Sequence, residues 1–225
     1  MTGMEKRITR RGSLATLGGL AAGAFGWQAG EAGAGPAGVA SGAVSCVLTP
    51  EMTEGPYYVA NEAVRRNITE GRPGTPLHLR LDVVNASTCR PIKNAAVDVW
   101  HADALGVYSG VQGNTGTFMR GIQRTDANGL ALFDTVYPGW YQGRTVHIHV
   151  KVHVGGTVVH TGQLFFPDPL TDKVYTASPY DTRGERDVRN ASDAIYRNGG
   201  SRSMLTLAKS GSGYVARITM GVHRT

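Results

Sequence analysis

Apolar and polar residues alternate most cleanly over residues 76–84. Leu77, Leu79, Leu81 and Val83 recur at every second position, with His78, Arg80 and Asp82 between them. Successive side chains of a strand point to opposite faces, so the pattern predicts a half-buried strand. The same period returns over 146–153, where Val146, Ile148, Val150 and Val152 share one face and His147, His149, Lys151 and His153 the other. Residues 95–102 and 130–133 predict two more strands, the latter entered through the turn sequence Thr125-Asp-Ala-Asn-Gly129. Gly155-Gly156 predicts a tight hairpin between the histidine strand and a returning strand at 157–166. A closing hairpin is expected from 204–207 and 214–222 across 209–213. The intervening stretches read as a glycine-rich excursion up to residue 117, a polar loop at 168–187 and a short helix at 187–196. Short strands joined by turn chemistry predict an all-β fold, an antiparallel β-sandwich with long loops and little helix.

Composition agrees with one such domain. The chain has 225 residues, 41% hydrophobic and 18% charged, with 31 glycines and ten prolines, enough for one well-formed core. Its formal charge is +6, and the first 40 residues carry a net two of those positive charges. The rest is spread without a basic run, which argues against a nucleic-acid partner. The chain opens with Lys6-Arg7 and Arg10-Arg11, then an apolar Ala/Gly-rich run at 14–27 and a small-residue tract. This order predicts an export signal, and the adjacent arginines before a weakly hydrophobic core point to the twin-arginine type. An ordinary secretory signal is the alternative. Residues 1–45 are therefore expected to be signal and linker, and 46–225 the folded domain. The mature form is expected to be secreted or periplasmic and free of membrane. Cys46 and Cys89 are the only cysteines, and in an exported protein such a pair is expected to form a disulfide; acylation of Cys46 is the competing reading.

Candidate chemistry concentrates at Tyr141, Arg144, His147 and His149. Residues two apart on a strand lie roughly 6.6 Å apart and point the same way, so two imidazoles so placed can converge on one metal ion. Tyr108, in the loop after the second strand, supplies a distant phenol. A free phenol titrates near ~10, so only a strongly Lewis-acidic cation would hold it as phenolate at neutral pH. Ferric iron, Fe(3+), fits two phenolates; zinc more often takes Cys, His or carboxylate.

From Pro50 onward the sequence resembles the intradiol ring-cleavage dioxygenases. The likeness rests on Thr53-Glu-Gly55-Pro56-Tyr57, Val99-Trp100-His-Ala-Asp-Ala-Leu-Gly106-Val-Tyr108-Ser109, Pro138-Gly139-Trp-Tyr141, Arg144-Thr-Val-His147-Ile-His149 and Gln163-Leu-Phe-Phe166. The resemblance implies a secreted non-haem iron(III) enzyme that opens catechol-type rings with O2 between the two hydroxyl-bearing carbons, giving muconate-type products. It assigns Tyr108, Tyr141, His147 and His149 as ligands of one iron per chain, with Tyr141 the releasable one. It places Arg144 beside the bound ring, and Gly55, Pro56, Tyr57 and Gln163 against the substrate. His101 and His153 are read as non-ligands, and Trp100 and Trp140 as packing residues. The helical N-terminal region by which catechol enzymes dimerise is not matched, so no oligomeric state carries over. The competing class is a non-catalytic, metal-stabilised exported binding module.

Overall fold

A computed structural model describes residues 46–223; the expected export signal lies outside the described residues. The leucine alternation forms strand β1 (Pro76–Asn85), with Leu77, Leu79, Leu81 and Val83 fully buried. The remaining strands are β2 (Ala96–Trp100), β3 (Arg120–Arg124), β4 (Leu130–Val136), β5 (His147–Val154), β6 (Thr157–Phe165), β7 (Thr206–Ser210) and β8 (Gly213–Val222). They make two four-stranded sheets, ordered β4-β1-β8-β7 and β3-β2-β5-β6. The core lies between them: the β1 leucines meet Val97 and Val99 of β2 and Ile148, Val150 and Val152 of β5. This is the expected sandwich.

Four features depart from the sequence pattern. The β1–β8 pair is parallel, in register from Leu77↔Tyr214 to Asn85↔Val222, whereas every other ladder is antiparallel. Strand β3 (Arg-Gly-Ile-Gln-Arg) has too few apolar residues to show a period, yet it pairs with β2 along its whole length. The stretch expected to be polar loop holds helix α1 (Asp168–Val174), which Pro169 in its first turn starts and which buries Thr171 and Val174. The helix expected at 187–196 is instead two single 3-10 turns, Asn190–Ser192 and Tyr196–Asn198. Between them the Asp193 carboxylate accepts the amides of Ile195 and Tyr196, a local competition that disfavours a continuous helix.

The Gly155-Gly156 hairpin forms as expected, both glycines having positive φ (60° and 88°), the requirement of its tight turn. A disulfide joins Cys46 to Cys89, whose Cα atoms are 5.2 Å apart. Beside it the start of the described chain is anchored to β8, where the Thr49 amide donates to the Gly221 carbonyl (2.9 Å). No helix among the described residues is long and apolar enough to cross a membrane.

Candidate metal centre

Strand β5 directs Ile148, Val150 and Val152 into the core, so the period of two sends His147 and His149 to its other face. Both histidines are nonetheless buried, 2% and 1% exposed, because the 53–58 segment and the loops after β2 and β4 cover that face. Their Nε2 atoms stand 3.1 Å apart. His147 Nδ1 lies 2.6 Å from the Thr145 carbonyl; a carbonyl only accepts, so the proton sits on Nδ1 and Nε2 keeps its lone pair. The His149 ring stacks on Trp100, with centroids 4.9 Å apart and planes 6° from parallel. Trp100 is thus a packing residue, as expected, and what it packs is an imidazole of the site.

Two loops bring the phenols. Tyr141 follows the Pro138-Gly139-Trp140 turn, and its hydroxyl lies 3.1 Å from His147 Nε2. Tyr108 comes from the loop after β2, which Asp103 folds by accepting the amides of Leu105 (2.9 Å) and Val107 (3.0 Å). The two loops press together at glycines. A Cβ on Gly139 would stand 2.3 Å from the Ala104 carbonyl oxygen, and one on Gly106 2.2 Å from the Trp140 carbonyl oxygen. No larger residue permits that approach. The Tyr108 and Tyr141 rings consequently lie 5.5 Å apart, and Tyr108 lies 6.3 Å from His149. Tyr108 is 3% exposed, and its hydroxyl has no hydrogen-bond partner of good geometry among the described residues.

The electrostatics favour a cation. Burial, helped by the Arg144 charge, holds the His147 imidazole down at about 3; burial beside His147 holds His149 well below its ordinary value. Both are therefore neutral, the ligating form. Burial pushes the Tyr108 phenol well above its ordinary value, with Tyr141 adding to the effect, and burial raises Tyr141 as well. Protein surroundings alone thus keep both phenols protonated, and a strong Lewis acid is needed to ionise them. Two donors at right angles around an ion with bonds of roughly 2.1 Å stand roughly 3.0 Å apart, and the His–His and Tyr141–His147 separations match. A buried hydroxyl without a partner costs about 1–3 kcal/mol, which a metal bond at Tyr108 would recover. No group of three His, Cys, Asp or Glu side chains among the described residues forms a metal cluster. Tyrosines complete this set, and the donors fit a hard trivalent ion.

Arg144 borders the centre. Its Nη2 donates to Gln163 Oε1 (2.6 Å), its Nε to Asp193 Oδ2 (2.8 Å), and its Nη1 lies 3.5 Å from His147 Nε2. Gln163, opposite His149 in the β5–β6 ladder, also donates through Nε2 to the Thr53 carbonyl (3.0 Å). Gly55 lies over the His149 ring, where a Cβ would stand 3.3 Å from His149 Cε1. Pro56 stands exposed at the bend. The Tyr57 ring reaches in, 4.7 Å from Tyr108 and 6.1 Å from Tyr141. All eight expected site residues other than Pro56 therefore meet around one point, and Pro56 shapes the loop that holds two of them. His101 is spent elsewhere, on the Ala102 carbonyl and the Thr135 hydroxyl. Trp140 packs under the Arg183 guanidinium. Asp193 escaped the sequence reading: it lies 49 residues from Arg144 in a segment without pattern, and no motif announces it.

Known proteins share this fold. A dioxygenase family model matches residues 53–192, more than half of the chain. An intradiol ring-cleavage dioxygenase from Tetranychus urticae superposes with a TM-score of 0.76 at 34% identity, covering 79% of this chain and 95% of that one. The dioxygenase domain of a dioxygenase carbohydrate-binding protein fusion from Streptomyces sp. SirexAA-E gives 0.63 at 31% identity, covering 79% and 99%. Catechol 1,2-dioxygenase 2 of Acinetobacter lwoffii is 39% identical over 106 residues, 43% of this chain and 38% of that protein. The matched segment thus spans well under half of this last relative. With most of the chain matched in sequence and its sandwich matched in space, the protein belongs to the intradiol ring-cleavage dioxygenase family.

Proposed function

We propose that the protein is a ferric dioxygenase that opens the ring of catechol-type substrates between the two hydroxyl-bearing carbons, using O2 and yielding muconate-type diacids. One observation carries the reading: the Nε2 atoms of His147 and His149 and the Tyr141 hydroxyl converge within 3.1 Å steps beside the buried Tyr108 hydroxyl, which has no partner of good geometry among the described residues. Tyr108, Tyr141, His147 and His149 would hold the iron. When bound, ferric iron withdraws electron density from a catecholate and so opens its ring to attack by dioxygen. Tyr141, half-buried, would be the releasable ligand, its phenolate oxygen placed to take one catechol proton. Arg144, locked by Asp193 and Gln163, offers its remaining face to negative charge growing on the ring. Gly55 leaves room over His149, and Tyr57 shields the ring from water.

The test is to load the purified chain with iron and follow oxygen uptake and ultraviolet product bands across a panel of catechols. A coloured protein with a visible phenolate-to-iron band and stoichiometric O2 consumption is expected; a colourless, zinc-filled protein inert to every catechol overturns the reading. Arg144→Ala should keep iron and its colour while kcat falls roughly 100-fold or more. A non-catalytic binding module would be indifferent to that change.

The protein is further proposed to work outside the cytoplasm, exported by the twin-arginine route. The Cys46–Cys89 disulfide supports an oxidising compartment. Fractionation of cells expressing the full chain checks this: Arg10→Lys together with Arg11→Lys should retain the protein in the cytoplasm.

A further inference from the structure

Arg120 is the largest fully buried charged side chain among the described residues, 1% exposed, and ring cleavage as derived above makes no use of it. It sits on β3 opposite Trp100. Its Nε donates to the Ser109 carbonyl and hydroxyl, both at 3.1 Å, and its Nη2 to the same carbonyl at 2.7 Å. Its Nη1 turns the other way and donates to the Tyr57 carbonyl at 2.7 Å. The Glu62 side chain, 5% exposed, stands 3.8 Å from Nε. The Arg120 backbone carbonyl is held in turn by the Arg65 guanidinium. One guanidinium thus joins two segments that are 52 residues apart in sequence: the loop that carries Tyr57 and the residue that follows Tyr108.

Both segments are loops, and their rings face each other at 4.7 Å. Besides this bridge, Tyr57 is tethered at its hydroxyl, by Gln112 Nε2 at 3.0 Å. A buried cation is costly unless its hydrogen bonds are filled, so its position is tightly specified by the three carbonyl and hydroxyl oxygens. A planar fork can hold two diverging carbonyls at a fixed separation; an ammonium on a flexible stem cannot.

We propose that Arg120 is a positioning residue for ring cleavage, fixing the spacing between Tyr57 and Tyr108 by clamping the Tyr57 carbonyl to the Ser109 carbonyl. The inference rests on the proposed function for its kinetic consequence and on the bridge alone for its structural one. Its test uses Arg120→Lys and Arg120→Gln in the full chain. In the iron-loaded enzyme, the KM for catechol is expected to rise about tenfold, as loss of one charged hydrogen bond implies, with kcat changing less than KM. The visible phenolate band should shift as Tyr108 moves. In the metal-free chain, amide exchange should accelerate at 53–60 and 106–112 while β1 and β5 stay protected.

The two readouts fail differently. If the wild-type chain neither colours nor cleaves catechols, the proposed function falls, and the exchange experiment still decides the clamp. If both variants keep wild-type KM, band position and loop exchange, the clamp is overturned. It is equally overturned if both variants merely melt earlier, with exchange rising throughout the sandwich.

Discussion

The hydroxyl of Tyr108 sits in the least comfortable place a phenol can occupy: buried, raised in pKa by that burial, and without a partner of good geometry among the described residues. A residue selected only for packing would be phenylalanine. Tyr108→Phe is therefore expected to stabilise the metal-free protein, by about 1 kcal/mol from relief of the unmet hydrogen bond. The same change should lower iron affinity at least 100-fold, since it deletes a charged ligand. Thermal melting of the metal-free chain and titration of the visible band read the two effects separately, and a destabilised metal-free variant would contradict the account. Residue identity was legible here: His147, His149, Tyr141, Arg144 and Tyr108 stand in motifs whose order and spacing announce them. What anchors them was not. The Thr145 carbonyl and the Asp193 carboxylate act through backbone position and distant contact, and neither leaves a trace in residue type.

At the scale of elements, period located β1 and β5, because each presents one apolar face to the core, while turn signals located β4 and β6. Period failed for β3, whose Arg-Gly-Ile-Gln-Arg holds one large apolar residue, and for α1, where Leu170 and Val174 are too few to show a helical stripe. Strand β6 adds a consequence of burial. His160 is 1% exposed, its Nε2 has no partner among the described residues, and burial holds it down at about 4. His101 behaves likewise, at about 4, chiefly through burial. Their folded values lie below the unfolded one of about 6.5. Between those limits the unfolded chain binds more protons, so stability is full above pH ~6.5 and drains away as pH falls toward 4. One such histidine accounts for about 3 kcal/mol across that window. His160→Leu should flatten the pH dependence of urea midpoints between pH 4 and 6.5; an unchanged slope would sink the assignment.

For the whole molecule, the sandwich class was legible from strand count and turn chemistry, whereas its one parallel ladder was not, since pairing direction leaves no mark on alternation. The disulfide was legible from cysteine count and the expected export. It closes a loop of 43 residues, and the loop-entropy relation gives a stabilisation of about 4 kcal/mol for that length. Cys46→Ser with Cys89→Ser should lower the unfolding free energy by up to this amount, with the β-sheet circular-dichroism spectrum retained. A variant as stable as the parent would mean that the unfolded chain is already constrained there.

The parallel β1–β8 ladder has a bearing on time. Strand β8 is the last of the described strands, yet it lies between β1 and β7 and also receives the start of the described segment at Gly221. Until residues 213–222 have left the ribosome, β1 has a bare edge on one side, and the sheet that it nucleates is an open template for sticking to other chains. The sheet therefore cannot close before β8 has been made. A ribosome stalled within residues 206–212, before β8 is made, should yield a product that chaperones hold and proteases clear.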